Sequence, residues 1–375
     1  MVRVLHITEM LQAAGIESYI MNTYRHINRE EIQFDFLVTR NVEEYYDQEI
    51  AEMGGRKFVI DFTECSSVFL RVLKESIALE KMLKNSSYNV IHVHSGTPLR
   101  IFYLFAAKRA GVRTRIYHSH SAKVTGPHKL LHVKRAVFEM LKQFFPWCAT
   151  DYFACSELAG QWMFPRRIQD KVRIIHNGID TEKFRYNPEV EREYRKKLNL
   201  ENNFVIGHIG RFNDQKNHTF LLDIFKEVAE RNEDARLLLI GEGELEEQIK
   251  EKIHRLNLEQ KVLLLGVRRD VAQLFQVMNV FVLPSNYEGL PVVGIEAQAS
   301  GNLCLLSDQV TPETVITPNV KLLSIKSTDI WVREIEKAKS FQKTDTSELI
   351  RKHGYDIKDS VRRMEKFYKS RGKVE

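Results

Sequence analysis

The sequence predicts an α/β protein made of two doubly wound domains, and three observations support this fold class. Short apolar runs alternate with helix-length segments along the chain. At 375 residues the chain is too long for one ordinary hydrophobic core. The alternation is interrupted near the middle by a polar, highly charged stretch and then begins again. Strands buried on both faces and separated by helices form parallel sheets, so we expect two Rossmann-like domains that face each other across a cleft.

The first domain is expected to span residues 1–185. Helix-length segments such as 16–28 and 66–85 separate its strand-like runs. These runs are residues 2–8, 34–39, 57–62, 90–95, 113–120, 151–156 and 172–177.

The second domain is expected at residues 204–355, after a charged linker at 186–203. Its strand-like runs are residues 204–210, 235–241, 261–266, 280–284 and 303–307. We expect residues 356–375 to form a C-terminal helix that packs back on the first domain.

The composition is typical of a soluble globular protein, with 43% hydrophobic and 28% charged residues. The sequence contains no uncharged apolar run of membrane-spanning length, and its N-terminus lacks the pattern of a signal peptide. The four cysteines have no metal-ligand spacing and are expected to be reduced thiols. We therefore expect a cytoplasmic protein, either free or peripheral on the inner face of the cell membrane.

A basic stretch at residues 108–143 contains nine lysines and arginines against one acidic residue, Glu139. Such a stretch favours an anionic partner, which is a phosphate, a lipid headgroup or a nucleic acid, or else it is a solvated basic surface. No nucleic-acid-binding motif accompanies it. Apolar residues recur at helical spacing within it, and either they meet a membrane or they pack on the protein's own sheet, leaving Lys134, Arg135 and Lys142 in solvent. These apolar residues are Leu130, Val133, Val137, Leu141 and Phe144.

The segment PSNYEGLPVVGIEAQASG, residues 284–301, follows a strand-like run and opens a predicted helix. Pro291 suits the first position of that helix, and Gly301 suits its end. The backbone N–H groups of Leu290, Val292, Val293 and Gly294 then lack helical acceptors, and such a helix start binds anions. Gly289 lets the backbone approach a ligand closely.

Two glutamates flank this helix start, Glu288 before it and Glu296 beyond its first turn. Carboxylates repel phosphate but accept hydrogen bonds from hydroxyls. A ligand with phosphate in the middle and hydroxyls at both ends is a nucleotide sugar. The alternative is that both glutamates are ordinary surface residues.

Further candidates follow other strands. Arg211 and Lys216 could neutralise a diphosphate without a metal, or they are solvated loop residues. The loop with Arg268 could read a base edge, or it is a plain turn. Gly15 could bring backbone donors to a phosphate, or it forms a simple turn. His118 and His120, in YHSHS, either bind sugar or acceptor or are structural. No dinucleotide-binding glycine motif follows the first strand of either half.

Taken together, these motifs resemble those of the retaining GT-B glycosyltransferases of family 4, in particular bacterial capsular and exopolysaccharide enzymes. The resemblance runs nearly end to end and rests on AGIESYIMNTYRHI, VIHVHSG, YHSHS, ACSELAG, HNGID, GRFNDQKN, LIGEGEL and DVAQLFQVMNVFVLPSNYEGLPVVGIEAQASG. The EGLP element and the spacing from Glu288 to Glu296 are the specific features among these motifs.

The resemblance implies roles for the candidate residues. Glu296 would hold the ribose hydroxyls, and Glu288 would contact the donor sugar. Arg211 and Lys216 would bind the diphosphate, and His120 would lie near the donor sugar and the acceptor. The implied donor-binding residues are Gly15, Arg211, Lys216, Arg268, Glu288, Gly289, Leu290, Pro291, Val292 and Glu296. The implied catalytic residues are Glu288, His120, Arg211 and Lys216, and the implied acceptor or sugar contacts are His94, His118 and His120.

The resemblance therefore implies a retaining, metal-independent hexosyltransferase-type glycosyltransferase without a cofactor. It would transfer a sugar from a nucleotide diphosphate, UDP in our expectation, to a lipid-linked glycan in cell-surface polysaccharide synthesis. The first domain would bind the acceptor and the second the donor. Two alternatives stay open: a sugar-nucleotide epimerase of the same fold, and a catalytically inactive binding or accessory protein. Nucleic acid is not expected as a partner, and an anionic membrane surface could meet residues 108–143.

Overall fold

The structure, a computed structural model, describes residues 1–12, 15–121 and 131–372. The chain divides into two units, of which the first comprises Met1–Gly178 with Ile357–Glu375 and the second comprises Ile179–Asp356. Each unit is built on one parallel sheet with helices, so the predicted pair of Rossmann-like domains is confirmed.

All described strands pair in parallel within two sheets. The first sheet contains β1 (Val2–Ile7), β2 (Ile32–Val38), β3 (Lys57–Val59), β4 (Val90–Ser95), β5 (Thr114–Ser119), β6 (Asp151–Ala154) and β7 (Val172–Ile174). The second contains β8 (Phe204–Ile209), β9 (Ala235–Ile240), β10 (Val262–Leu264), β11 (Val280–Leu283), β12 (Leu303–Ser307) and β13 (Val320–Leu323). Their spatial orders are β3-β2-β1-β4-β5-β6-β7 and β10-β9-β8-β11-β12-β13. In each sheet the strand order reverses beside the first strand, as in doubly wound folds.

The helices of the first unit are α1 (Gly15–His26), α2 (Asp47–Glu52), α3 (Val68–Lys84), α4 (Ile101–Arg109), α5 (Leu131–Lys142), α6 (Phe145–Cys148) and α7 (Glu157–Met163). The second unit has α8 (Thr181–Phe184), α9 (Pro188–Lys197), α10 (His218–Arg231), α11 (Glu246–Arg255), α12 (Val271–Val277), α13 (Val292–Ala299), α14 (Asp329–Lys337) and α15 (Ser347–Lys352). The last helix, α16 (Ile357–Gly372), belongs to the first unit. Every residue of β2 and of β4 is buried, as expected for strands with helices on both faces.

The boundary between the units lies earlier than the sequence indicated, after Gly178 rather than at 185. The reason is that α8 packs within the second unit. Phe184 is buried in its core, and the Ile179 N–H donates to the Tyr355 carbonyl at 2.8 Å.

The expected linker at 186–203 is also part of the second unit, since it contains α9, which packs on α12. The Asn187 N–H donates to Gln276 Oε1 at 3.0 Å, and Arg195 donates to Asn279 Oδ1 at 2.9 Å. The charge of this segment reflects a solvated helix face rather than a spacer between domains.

The helix α16 completes the first unit. Met364 and Tyr368 are buried in its core, and the Tyr368 hydroxyl lies 2.7 Å from His92 Nδ1. Arg371 pairs with Asp151 at 2.9 Å. The end of the chain thus packs on residues from its first half.

Candidate functional site

In the second unit, the strand order reverses between β8 and β11, which are hydrogen-bonded neighbours. Ligands of open parallel sheets bind beyond the carboxyl ends of the strands at such a point. The loops that leave these two strands carry Lys216 and Glu288 respectively. The topology therefore brings these two predicted site residues together.

Lys216 and Glu288 form the centre of a polar cluster. Lys216 Nζ lies 2.6 Å from Glu288 Oε1, and the two side chains are 15% and 8% exposed. Gln215 Nε2 donates to Glu288 Oε2 at 2.9 Å, and the buried Ser285 hydroxyl donates to Glu288 Oε1 at 2.9 Å. The carboxylate of Glu288 is consequently held in one orientation by three side chains, two of which the sequence analysis did not single out.

Hydrogen bonds to backbone carbonyls connect the two loops. The Asn286 N–H donates to the Gln215 carbonyl at 2.8 Å, and Asn217 Nδ2 donates to the Pro284 carbonyl at 3.2 Å. Asn217 has φ 56°, a left-handed conformation that asparagine tolerates well, and this turns the chain into α10. A Cβ on Gly210 would lie only 3.0–3.1 Å from the Lys216 side chain, so the glycine leaves room for that side chain.

The helix start after Glu288 has unpaired donors. Among the described residues, the backbone N–H groups of Gly289, Leu290, Val292 and Val293 have no hydrogen-bond acceptor. The Gly294 N–H, which we expected to be available, donates to the Pro291 carbonyl at 2.9 Å because a tight turn precedes the helix. Pro291 caps the helix rather than occupying its first position. The remaining donors at the first turn of α13 suit an anion.

Glu296 lies on α13 and is partly accessible. The protein around its carboxyl group raises its pKa to about 7 because the charged form is poorly solvated, and the charge of Lys183 acts in the opposite direction. Among the described residues, burial and the charge of Lys183 are the influences on this carboxyl, and none of those residues donates a hydrogen bond to it. Such a group is suited to accept hydrogen bonds from ligand hydroxyls.

The structure does not add Arg211 or Arg268 to the Lys216–Glu288 cluster. Arg211 forms an exposed pair with Glu244, at 3.1 Å. The guanidinium of Arg268 makes two bonds to Asp270, at 2.8 and 2.6 Å. An exposed pair such as that of Arg211 contributes little and exchanges readily, whereas the two-bond pair of Arg268 holds its side chain in place.

The loop LIGEGEL, residues 239–245, packs against the loop that carries Lys216. A Cβ on Gly241 would lie 2.2 Å from the Gly210 carbonyl oxygen, and one on Gly243 would lie 2.4 Å from the Phe212 carbonyl oxygen. The Phe212 N–H donates to the Glu242 carbonyl at 2.9 Å. Both glycines are thus required for close packing of backbone on backbone.

In the first unit, the strand order reverses between β1 and β4, and a cluster of imidazoles lies on this part of the sheet. His94 Nδ1 lies 3.0 Å from His120 Nε2, and His6 Nδ1 lies 2.9 Å from His94 Nε2. The ring centroids of His118 and His120 are 4.2 Å apart. The three predicted histidines therefore come together, along with His6 and His92, which the sequence analysis missed.

Burial lowers the pKa of each of these imidazoles. The pKa of His120 falls to about 3, and those of His94 and His118 fall well below the ordinary value. His94 and His118 are fully buried, whereas His120 is partly accessible. The rings are neutral at physiological pH. Two groups, His6–His92–His94 and His94–His118–His120, have ring nitrogens within 4.8 Å of one another and are close enough to share a metal ion.

Gly15 begins α1, directly after the undescribed residues 13–14. A Cβ at Gly15 would meet no atom within 4 Å, so packing does not require glycine there. Two residues later, Glu17 is buried and accepts a hydrogen bond from the Thr8 hydroxyl at 3.1 Å. Burial raises the pKa of Glu17 to about 7.

The basic stretch is only partly a basic surface. Lys142 is buried, with Nζ 2.7 Å from Glu139 and 3.6 Å from the centre of the Trp162 ring. Leu141 packs in the core, whereas Val133 and Val137 are exposed together with Met140. The alternative in which the apolar residues pack within the protein thus holds for Leu141 but not for Val133 and Val137, and the expected solvation of Lys142 was wrong. Leu130 lies outside the described residues. No described helix is long and apolar enough to cross a membrane.

Two protein-family models match this chain. Residues 190–355 match the model described as Glycosyl transferases group 1, and residues 13–183 match the model described as Glycosyltransferase Family 4. Each match covers most of one structural unit.

Two relatives match over most of their length. EpsF of Bacillus subtilis (strain 168), described as a glycosyltransferase, is 33% identical over 373 residues, which cover 96% of this chain and 94% of EpsF. The UDP-Gal:alpha-D-GlcNAc-diphosphoundecaprenol alpha-1,3-galactosyltransferase of Escherichia coli is 28% identical over 82% of this chain and 79% of its own.

Among solved structures, Anabaena Alr3699/HepE in complex with UDP and glucose superposes with a TM-score of 0.77. The alignment covers 99% of this chain and 100% of HepE at 18% identity, so the likeness shows the fold. Because a relative at 33% identity spans nearly the whole chain and both family models agree with it, the chain belongs to glycosyltransferase family 4, the GT-B family that its motifs resemble.

Proposed function

We propose that this glycosyltransferase transfers a sugar, with retention of anomeric configuration, from a UDP-sugar to a lipid-linked glycan during synthesis of a cell-surface polysaccharide. The observation that carries the proposal is the Lys216–Glu288 pair, 2.6 Å apart, beside the unpaired N–H groups that begin α13. It combines a cation, oriented donors and a fixed carboxylate at the reversal point of one sheet.

The pattern of charge fits a nucleotide sugar. The N–H groups of Gly289, Leu290 and Val292 supply donors for phosphate oxygens, and Lys216 adds a positive charge. The ammonium of a lysine has three donors, and Glu288 occupies one of those of Lys216. Glu288 then faces sugar hydroxyls, and Glu296 accepts hydrogen bonds from the ribose hydroxyls.

The chemical step breaks the bond between the anomeric carbon and the diphosphate oxygen. The acceptor hydroxyl oxygen forms a bond to the same carbon on the same face, and its proton passes to the departing diphosphate. Negative charge grows on the diphosphate in this step, and preorganised donors and cations lower the barrier where charge develops. We assign Lys216 and the α13 donors to that role, with Arg211 joining once it leaves its exposed pair with Glu244. Transfer then requires no added divalent cation.

Three comparisons support the choice of substrates. The HepE structure contains UDP and glucose, and the Escherichia coli relative is named for a UDP-galactose donor and a diphosphoundecaprenol acceptor. Relatives such as CapM of Staphylococcus aureus are named for capsular polysaccharide biosynthesis. In the first unit we assign the acceptor contacts to His120, the partly accessible member of the imidazole cluster.

A lipid-linked acceptor calls for a membrane-facing surface, and we assign that role to α5 together with α6, which carries Trp147. Val133, Met140 and Trp147 are 62%, 57% and 60% exposed, which is unusual for large apolar side chains on one short segment. Arg135 is exposed on the same helix, beside Lys134. Exposed apolar residues with adjacent cations suit the surface of an anionic bilayer.

A donor screen tests the proposal. The purified enzyme would be incubated with UDP-, GDP- and TDP-sugars, with and without a polyprenyl-diphosphate-linked sugar, and both free nucleotide and glycosylated lipid would be measured. We expect UDP release coupled to a new glycosidic bond of the donor's anomeric configuration. An inverted product contradicts retention, and conversion of the donor without any glycosylated product identifies the epimerase alternative.

A further inference from the structure

Five histidines of the first unit lie together on adjacent strands. His92 and His94 alternate along β4, and His118 and His120 alternate along β5 and the residue after it. The pairing registers place His6 beside His92 and His94 beside His118. Because strand side chains alternate between faces with a period of two, the sequence HVH beside HSH stacks these rings on one face of the sheet.

Three of these rings are linked in series. His6 Nδ1 lies 2.9 Å from His94 Nε2, and His94 Nδ1 lies 3.0 Å from His120 Nε2. We propose that His6, His94 and His120 form one chain of imidazole hydrogen bonds in which all three rings hold the same tautomer, so that His6 and His94 position His120 and decide whether its Nδ1 donates or accepts.

The reasoning is a count of hydrogens. A neutral imidazole carries one N–H, so each gap between two rings must contain one donor and one acceptor. If His6 carries its hydrogen on Nδ1, then His94 Nε2 must be bare and His94 must carry its own hydrogen on Nδ1. The same argument places the hydrogen of His120 on Nδ1. If the direction is reversed, all three rings carry hydrogen on Nε2. Any mixed arrangement opposes two donors or two acceptors and loses a buried hydrogen bond.

The ends of the chain have no protein partner. His6 Nε2 and His120 Nδ1 are buried atoms without a hydrogen-bond partner among the described residues. His6 ends among aromatic rings, with Phe34 at 4.0 Å between centroids. His120 lies at the other end, where β5 stops. The tautomer of His6, at the apolar end, therefore fixes the tautomer of His120, at the end where we place the acceptor. The role of His120 towards the acceptor rests on the proposed function.

The distances favour hydrogens over a metal in the gaps. Zinc–nitrogen bonds of about 2.0–2.1 Å in a tetrahedral site place two ligand nitrogens roughly 3.3–3.4 Å apart. The two gaps of 2.9 and 3.0 Å are instead those of N–H···N hydrogen bonds, and they engage both nitrogens of His94. Burial keeps the rings neutral, as the chain requires.

Nitrogen NMR on protein labelled with ¹⁵N-histidine tests the inference directly, because the ring nitrogens of the two tautomers have different chemical shifts. Signals are assigned by single substitutions. In the wild type we expect His6, His94 and His120 all to be Nδ1–H, or all to be Nε2–H. Rings of mixed tautomer overturn the proposal. So does a stoichiometric transition metal, found by elemental analysis of the purified protein and bound through these nitrogens.

A matched pair of variants tests positioning. His6→Leu removes the end of the chain, and His92→Leu removes an equally buried neighbour that bonds to Tyr368 instead. We expect the His120 signals to move in His6→Leu, to stay in His92→Leu, and to return towards wild type in His6→Asn, whose amide replaces Nδ1. Unchanged His120 signals in His6→Leu, or equal changes in both leucine variants, overturn the inference.

Activity separates this inference from the proposed function. We expect His6→Leu to lower kcat for transfer about tenfold, with little change in donor KM and partial rescue by His6→Asn. If the nitrogen signals respond but kcat does not, the positioning of a reactive His120 is wrong, whereas UDP-sugar transfer itself stands. If no UDP-sugar is used, the proposed function fails and the tautomer result is unaffected.

Discussion

Replacement of Glu296 by Gln provides the sharpest test of the donor site. In the proposed function its carboxylate accepts hydrogen bonds from the ribose hydroxyls, and a hydrogen bond to a charged group is worth about 1.5–3 kcal/mol. Within the described residues, no protein donor bonds to this carboxyl in their place. We therefore expect UDP affinity to fall at least about tenfold in Glu296→Gln. Isothermal titration calorimetry with UDP measures it directly.

The raised pKa adds a pH signature to this prediction. With a pKa of about 7, Glu296 is largely protonated at pH 6 and ionised at pH 8. Only the ionised form accepts both ribose hydrogen bonds, so wild-type affinity should rise as the pH increases through 7 and then level off. Titration of the phosphate is common to both proteins, and the ratio of wild-type to Glu296→Gln affinity isolates the contribution of this carboxyl.

The contribution of Glu296 to folding stability should fall as the pH rises, whereas its contribution to UDP affinity should increase. A carboxyl whose pKa is raised by folding binds protons more tightly in the folded state, so its contribution to stability is lost as the pH rises from the unfolded pKa towards 7. Glu296→Gln removes this penalty and should unfold at a higher temperature than the wild type at pH 8, but not at pH 4.5. A gain of 1 kcal/mol corresponds to about 2–4 °C in a domain of this size.

Two results would refute the reasoning. Equal UDP affinities of wild type and Glu296→Gln at pH 8 would remove Glu296 from the ribose site. An affinity ratio that does not vary between pH 6 and 8 would show that ionisation of this carboxyl is not coupled to binding. Scanning calorimetry of the apoprotein checks that both proteins are folded under the conditions used.

Other predictions concern the cations. Lys216→Ala should lower kcat about a hundredfold and also lower the Tm, because Glu288 loses its charged partner. Arg211→Ala should lower kcat without changing the Tm, because its pair with Glu244 is exposed. A wild-type kcat in either variant excludes that residue from the diphosphate site. Turnover should persist in EDTA, and a strict requirement for Mg²⁺ contradicts charge neutralisation by the protein. Lys134→Glu/Arg135→Glu should reduce co-sedimentation with anionic vesicles more than tenfold but not with neutral ones, and equal binding by the double variant excludes this surface.

Much of the fold could be predicted because each strand carries its own apolar signal. The strand β13 was missed, since its run VKLL is short and only Leu323 in it is buried. The segment at 186–203 was misinterpreted as a linker because its charges are visible in the sequence, whereas the burial of Phe184 and the packing of α9 on α12 depend on residues far along the chain.

At the site, topology decided which predictions came together. Lys216 and Glu288 each follow a strand, and the strand order of a doubly wound sheet makes those strands neighbours. Arg211 and Arg268 also follow strands, but each forms an ion pair with an acidic residue, and the sequence analysis did not take these pairs into account. The burial of Lys142 depends on Trp162, which comes from a different helix.

The imidazole cluster could have been found from the sequence alone. HVH at 92–94 and HSH at 118–120 each place two histidines on one face of a strand. Only the assumption that these two strands are adjacent was missing, and the strand order supplies it. His6 completes the cluster because β1 pairs with β4.

The return of the C-terminal helix to the first unit has a consequence for biosynthesis. The second unit is one continuous segment, Ile179–Asp356, and all of it leaves the ribosome before the helix α16 does. The first unit begins earlier but cannot close its core until Met364 and Tyr368 have been synthesised, after the whole of the second unit. Domains usually fold in the order of their synthesis, yet here the unit that is started first is the last to be completed. A nascent chain stalled before residue 357 would expose the apolar groove that α16 covers, so the loss of only the last helix should disable the half of the protein that is translated first.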